Sequence, residues 1–226
     1  MSLFAILLFG GTMALSLWAT MRVRQVYDKF SRLPASSEAS GAETAATILR
    51  QEGIYDVEIV EHDEMQGDHY DPIHKRLVLS RDNSTAALGV AAHECGHAIQ
   101  HKYAYAPLQW RMASVGLTTF ANQIVLWLPL LGMFIGFLNT GMALILMASA
   151  WGILMLFNLL TLPVEFDASA RARLVLRQTG LIRTVQEETA LAKVLSAAAW
   201  TYVAAFITSL VYFLLHVLPL LGGRRE

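Results

Sequence analysis

The residues best suited to catalysis lie together in the segment His93-Glu94-Cys95-Gly96-His97. In an α-helix, residues four positions apart share one face, so both imidazoles can reach a single Zn²⁺ at about 2.0–2.1 Å. The carboxylate of Glu94 can then lie next to a metal-bound water without itself binding the metal. This spacing predicts a zinc hydrolase in which Glu94 takes a proton from the water and passes it to the leaving amine.

The surroundings of this motif favour a functional site over a chance match. Between Ala86 and Ala98, Glu94 is the single charged residue and small residues predominate, so the helix can pack closely against a neighbour. Buried histidines and glutamates need partners, which makes a purely structural helix of this sequence unfavourable. Cys95 points away from both histidines, and we expect it to be a core residue rather than a ligand.

The composition is that of a membrane protein. Of the 226 residues, 55% are hydrophobic and 15% are charged, whereas soluble domains average about 25% charged residues. Four apolar stretches are long enough for a bilayer about 30 Å thick; they are 1–21, two arms of a hairpin within 117–162, and 197–221. The net charge of −1 gives no support for nucleic-acid binding, and one cysteine excludes an internal disulfide.

The polar segments 22–116 and 163–196 are expected to form a small α+β, zincin-like portion of a mainly α membrane protein. Pro163 should kink the chain or begin a new helix directly after the hairpin. Residues 222–226 are expected to be a short tail.

Local patterns locate the elements of this polar portion. Ser40 and Glu43 form a capping box that begins a short helix. Apolar residues predict strands at 55–61 and 75–80, and the helix that carries the motif is expected at about 85–103. That helix has too many polar residues to cross a bilayer, so we place it at the membrane surface.

Basic residues predict the orientation of the chain. The positive-inside rule assigns segments rich in Lys and Arg to the cytoplasm, and the first span is followed directly by Arg22, Arg24, Lys29 and Arg32. Further basic residues lie in 163–196. The catalytic segments are therefore expected to be cytoplasmic and both termini external, although Arg224 and Arg225 in the tail oppose this assignment.

A third metal ligand is expected after the hairpin. Glu165 and Asp167 emerge there, on the membrane face assigned to the two histidines. Glu165 could complete a His₂Glu site, and Asp167 is better suited to accept the free N–H of a ligand histidine. Two alternatives stay open. Glu165 could serve only to stabilise the N-terminal end of its helix through the helix dipole, and His69 could be the third ligand in its place.

The segment Asp68-His69-Tyr70-Asp71-Pro72 is a second candidate for catalysis. A peptidase must stabilise the oxyanion of its tetrahedral intermediate, and either His69 or Tyr70 could donate the hydrogen bond. The alternative is a tight polar turn fixed by the Asp and Pro residues. The sequence favours neither residue over the other.

Four blocks of this sequence, taken together, resemble the bacterial membrane neutral zinc metallopeptidases of the YugP-like family. The resemblance covers almost the whole chain and rests on 68–72, 91–100, 161–169 and 197–204. It implies zinc on His93 and His97, Glu94 as the base, and a glutamate as third ligand, best matched by Glu165.

The block Glu165-x-x-Ala168 is also similar to the glutamate motif of the HtpX and CAAX-prenyl membrane proteases. Those proteins have an acid where this chain has Ser169. The departure shifts the expected contact with a ligand histidine to Asp167.

We therefore expect a zinc endopeptidase in a bacterial inner membrane, with its active site on the cytoplasmic side. Its substrate would be an extended, membrane-associated peptide or protein, added beside the edge of the small sheet. A site-2-type intramembrane protease is disfavoured because no predicted span contains an Asp. A non-catalytic zinc scaffold is disfavoured because a structural site has no use for Glu94 and usually has four protein ligands.

Overall fold

A computed structural model describes residues 3–62, 67–135 and 139–222. Within these residues the protein is mostly helical and has one small sheet, as the sequence predicts. In chain order the elements are α1 (Leu3–Phe30), α2 (Gly41–Gln51), β1 (Glu58–His62), β2 (His69–Asp71), β3 (Arg76–Ser80), α3 (Thr85–Lys102), α4 (Ala106–Ile135), α5 (Thr140–Gln178) and α6 (Val185–Gly222).

The described residues fall into two compact units. The first, here called the apolar unit, comprises Met1–Trp18, Trp110–Leu162 and Thr201–Glu226. The second, the polar unit, comprises Ala19–Gln109 and Pro163–Trp200, and it contains the sheet together with α2 and α3.

Among the residues that the structure describes, four helices are long and apolar enough to cross a membrane: α1, α5, α6 and the part of α4 from Ala106 to Gly132. Large apolar side chains remain exposed on the apolar unit, among them Phe4 at 63%, Phe120 at 63% and Leu218 at 57%. Such surfaces suit contact with lipid rather than with water.

Side-chain contacts connect α5 and α6 within the apolar unit. The amide of Asn158 donates to the hydroxyl of Ser209 at 3.1 Å, and the ring of Trp151 stacks on Tyr212 with centroids 4.6 Å apart. His216 places Nδ1 2.7 Å from the carbonyl of Tyr212, one turn earlier in the same helix. This contact satisfies one ring nitrogen of His216 within its own helix.

The sheet has the order β1-β3-β2, with β1 parallel and β2 antiparallel to β3. The edge strand β2 occupies part of the segment that the sequence allowed to be a turn. The turn instead follows β2, because the carboxylate of Asp71 accepts the backbone N–H groups of Ile73 and His74. Tyr70 thereby lies in a strand, opposite Leu77 of β3.

The core of the polar unit forms between the sheet, the helices α2 and α3, and the parts of α5 and α6 that belong to this unit. The capping box of Ser40 and Glu43 begins α2 as predicted. Ile48 of α2, Leu77 of β3 and Cys95 of α3 are fully buried in this core, so the expectation that Cys95 is a core residue is confirmed.

Two long helices continue where the sequence suggested breaks. No new helix begins at Pro163, because α5 runs from Thr140 to Gln178. A proline removes only one backbone hydrogen bond from the helix, and helix-forming residues flank it on both sides. The amphipathic segment 184–193 and the span 197–221 likewise belong to one helix, α6.

Candidate metal centre

Three side chains of the polar unit converge on one point. The Nε2 atoms of His93 and His97 lie 3.2 Å and 3.6 Å from Oε2 of Glu165. One ligand atom from each residue lies within 4.8 Å of the others. A tetrahedral zinc with bonds of about 2.0–2.1 Å separates its ligands by about 3.4 Å, so these spacings fit Zn²⁺ held by two imidazoles and one carboxylate.

Close packing of α3 on α5 brings Glu165 to the two histidines. At Gly96 a β-carbon would lie only 2.6 Å from the carbonyl oxygen of Ala168. Only glycine permits that approach, because any side chain would force the two backbones apart. Gly96 lies between the histidines in sequence, and Ala168 lies one helical turn after Glu165.

His97 is oriented by a fully buried glutamine. The Nε2 amide of Gln100 donates to the carbonyl of Val164 and to a carboxylate oxygen of Asp167, each at 2.8 Å. Both partners can only accept, so Oε1 of Gln100 faces Nδ1 of His97 at 3.0 Å and accepts its hydrogen. In the neutral ring, Nε2 of His97 then carries the lone pair that a metal requires.

That lone pair faces a carboxylate oxygen of Glu165, so a proton or a cation is needed between the two atoms. Burial by itself would lower the pKa of His97, but the carboxylates of Glu165 and Glu94 raise it above its ordinary value. The centre is therefore electronegative and favours a positive charge, as expected for a metal site.

His93 is oriented by Ser169. Its Nδ1 lies 3.1 Å from the hydroxyl oxygen of Ser169, which can accept the Nδ1 hydrogen when Nε2 binds a metal. Ser169 thus makes the histidine contact for which the sequence suggested Asp167. Asp167 instead accepts a hydrogen bond from Gln100, which in turn contacts His97, and it pairs with Arg171 at 2.6 Å.

Glu94 is held by the edge strand of the sheet. One of its carboxylate oxygens, Oε2, accepts the backbone N–H of Tyr70 at 2.9 Å. Burial raises the pKa of Glu94, although the neighbouring His93 and His97 oppose the increase. Glu94 is thus a fixed carboxylate close to His93 and His97, and it binds a proton more readily than an exposed glutamate does.

The two oxyanion candidates differ in their contacts. Nδ1 of His69 lies 2.6 Å from the carbonyl of Gly67, at an exposed position. The hydroxyl of Tyr70 lies 2.8 Å from Nδ1 of His101, and burial raises the pKa of Tyr70 to about 12. Among the described residues, the group that could hold a metal does not include His69.

Sequence reasoning assigned no contact with a histidine to Gln100 or Ser169, although helical spacing could have found both. Gln100 follows His97 by three residues, and Ser169 follows Glu165 by four, so each shares a face with a candidate ligand. Asp167 follows Glu165 by two residues and therefore lies on another side of α5.

Comparisons with known proteins cover almost the entire chain. A family model described as "Putative neutral zinc metallopeptidase" matches residues 5–220. The chain is 42% identical over 219 residues to a Bacillus subtilis (strain 168) protein named "Putative membrane protease YugP", with 95% of each chain covered. No solved structure shows a significant match.

Proposed function

This chain belongs to the family of neutral zinc metallopeptidases, and from that premise we propose that it is a membrane-embedded zinc endopeptidase. The observation that carries the proposal is the convergence of Glu165 on Nε2 of His93 and His97. Three protein ligands leave one position of a tetrahedral zinc for water, as in catalytic rather than structural sites. The site is then a gluzincin-type one, with two histidines and a glutamate.

The residues of the centre have distinct tasks. His93, His97 and Glu165 would hold Zn²⁺, which lowers the pKa of a bound water and polarises the substrate carbonyl. Glu94 is the general base. Because its Oε2 accepts the Tyr70 N–H, Oε1 is the atom available to take the proton of the attacking water and deliver it to the leaving amine.

His69 and Tyr70 remain our two candidates for the oxyanion donor. The variants His69→Ala and Tyr70→Phe separate them, since each removes one donor. Loss of the true donor should lower kcat about 10²–10³-fold and leave KM nearly unchanged. A variant that keeps the wild-type kcat excludes its residue from this role.

We propose that the substrate is an extended peptide or a membrane-associated protein segment that lies beside β2. This strand is at the sheet edge, and strand addition to an open edge is a common way to bind extended chains. The backbone N–H of Tyr70 in this strand donates a hydrogen bond to Glu94. A peptide aligned along the strand would therefore have a peptide bond close to the metal centre.

We place the polar unit on the cytoplasmic side of a bacterial inner membrane. The basic residues that follow the first span and those of 163–196 support this orientation. The test is a Tyr55→Cys variant, because Tyr55 is 82% exposed and Cys95 is buried. An impermeant maleimide should label it in inverted vesicles but not in intact cells, and the opposite result would reverse the orientation.

Activity separates the enzyme from a zinc-binding scaffold. Detergent-purified wild-type protein should cleave a library of unstructured peptides, and Glu94→Gln should lower the rate at least 10²-fold with its zinc content unchanged. Equal cleavage by both proteins would remove Glu94 from the mechanism. Absence of cleavage by either protein, with zinc bound, would favour the scaffold.

A further inference from the structure

A polar pocket of about 310 Å³ lies within the polar unit, between the end of α3 and the starts of β1 and β3. Its walls include the charged side chains of Asp56, Lys75 and Lys102 and the polar side chains of Tyr70 and His101. This volume is sufficient for one substrate side chain.

Tyr70 and His101 connect this pocket to the metal centre. The backbone of Tyr70 donates to Glu94, while its ring lines the pocket. His101 follows His97 by four residues, or about 6 Å along α3. An extended peptide advances about 3.3 Å per residue, so a side chain about two residues from the scissile bond would reach the pocket.

The pocket has more hydrogen-bond donors than its own contacts use. The neutral Tyr70 hydroxyl and His101 imidazole together carry two hydrogens, of which their mutual bond uses one, whichever group donates. The ammonium of Lys75 carries three hydrogens, and its contact with Asp56 at 2.5 Å uses one. An acceptor-rich group would satisfy the others.

The formal charge of the pocket is also positive. Lys75 and Lys102 contribute two positive charges and Asp56 one negative charge, which leaves +1 with His101 neutral. Lys102 is bonded to the backbone carbonyls of Glu52 and Gly53, which neutralise none of its charge. Both the donors and the charge favour an anionic ligand.

We propose that this pocket selects an acidic side chain, Asp or Glu, about two residues from the scissile bond. The proposal rests on the peptidase function above and names the substrate class that the same site prefers. Lys75, Tyr70 and His101 line the same pocket, so a carboxylate bound there would have donors from all three side chains within its surroundings.

The ion pair between Asp56 and Lys75 provides matched variants. Both side chains are substantially exposed, so neither substitution should prevent folding. Lys75→Met and Asp56→Asn each break the pair, and a purely structural role would change ligand binding in the same direction in both. If the pocket recognises charge, the two variants should change the affinity for an acidic peptide in opposite directions, because one removes a positive charge and the other a negative charge.

The first measurement is binding to the full-length protein carrying Glu94→Gln, which does not depend on cleavage. The probes are fluorescent decapeptides of Ala, Ser and Leu with a single Glu moved through each position, beside a matched series with Gln. At one position Glu should bind about tenfold more tightly than Gln. Lys75→Met should reduce that ratio and Asp56→Asn should increase it.

Equal affinity for Glu and Gln at every position would overturn the pocket assignment, as would a change in the same direction in both variants. The same peptides given to the wild-type protein test the enzyme separately. Cuts at a fixed distance from Glu support both proposals. Cleavage that ignores Glu leaves the peptidase intact and refutes the pocket, whereas discrimination in binding without any cleavage supports the pocket and refutes the peptidase.

Discussion

Gln100 accepts the Nδ1 hydrogen of His97 at 3.0 Å and thereby turns Nε2 of that imidazole towards Glu165. The direction of this hydrogen bond is determined by the other end of the amide, which donates to Val164 and Asp167. The orientation of this imidazole thus depends on a backbone carbonyl of α5. The helix that provides Glu165 also aligns His97 through this amide.

We expect Gln100→Ala to weaken zinc binding by about 10–100-fold, because it removes the acceptor that orients His97. The matched control is Asp167→Asn, which leaves both the His97 contact and the Val164 contact of Gln100 in place and should have a smaller effect. Competition with a chromophoric chelator measures both affinities. Wild-type affinity in Gln100→Ala would show that packing alone orients the imidazole.

Close approach of α3 to α5 can be tested at Gly96. In Gly96→Ala the new methyl would lie 2.6 Å from the backbone of Ala168, so the helices must separate. We expect a loss of about 1–3 kcal/mol in the free energy of unfolding and a reduced zinc content.

The control for Gly96 is Gly89→Ala on the same helix. There the nearest atom, also at 2.6 Å, is Cδ1 of Leu191, the end of a flexible side chain that can move aside. Thermal unfolding and zinc analysis of both variants make the comparison. Equal effects would mean that loss of glycine in α3, and not the contact with α5, determines the result.

The sequence was sufficient to locate the helical part of the centre. A period of 3.6 residues puts His93 and His97 on one face regardless of the rest of the fold, and the cap and bounds of α3 were recognisable from local sequence. Glu165 was the natural third ligand because few acids follow the motif. The structure brings it within 3.6 Å of both imidazoles.

Contacts between separate elements were harder to predict. The strand at β2 contains only three residues, and it depends on pairing with β3 and on the Asp71 turn, so its own sequence gives a weak signal. The exchange of roles between Ser169 and Asp167 follows from helical spacing once Glu165 faces the histidines. The close approach that lets Ser169 reach His93 depends on how α5 packs against α3, which a single sequence does not reveal.

Removal of the carboxylate tests Glu165 as a zinc ligand. The alternative that Glu165 acts only on the end of a helix is wrong, because Glu165 lies well inside α5. Glu165→Ala leaves two protein ligands, and we expect its zinc content after dialysis to fall far below that of the wild type. Glu165→Gln keeps the size of the side chain but weakens the charge interaction with the cation. Zinc retained in full by both variants, as measured by atomic absorption, would exclude Glu165 from the ligands.

The protonation of Glu94 should reflect both its burial and the metal. Burial raises its pKa above the ordinary 4.5, whereas a bound Zn²⁺ would lower it again, since a nearby cation favours the carboxylate. In the metal-free protein Glu94 should therefore bind a proton at a higher pH than an exposed glutamate does, and zinc should shift this titration to lower pH. The measurement is the carboxyl band in infrared difference spectra between wild type and Glu94→Gln, recorded from pH 3 to 8 with and without zinc. A titration at or below pH 4.5 in the metal-free protein, or one that zinc leaves unchanged, would contradict a buried base next to the metal.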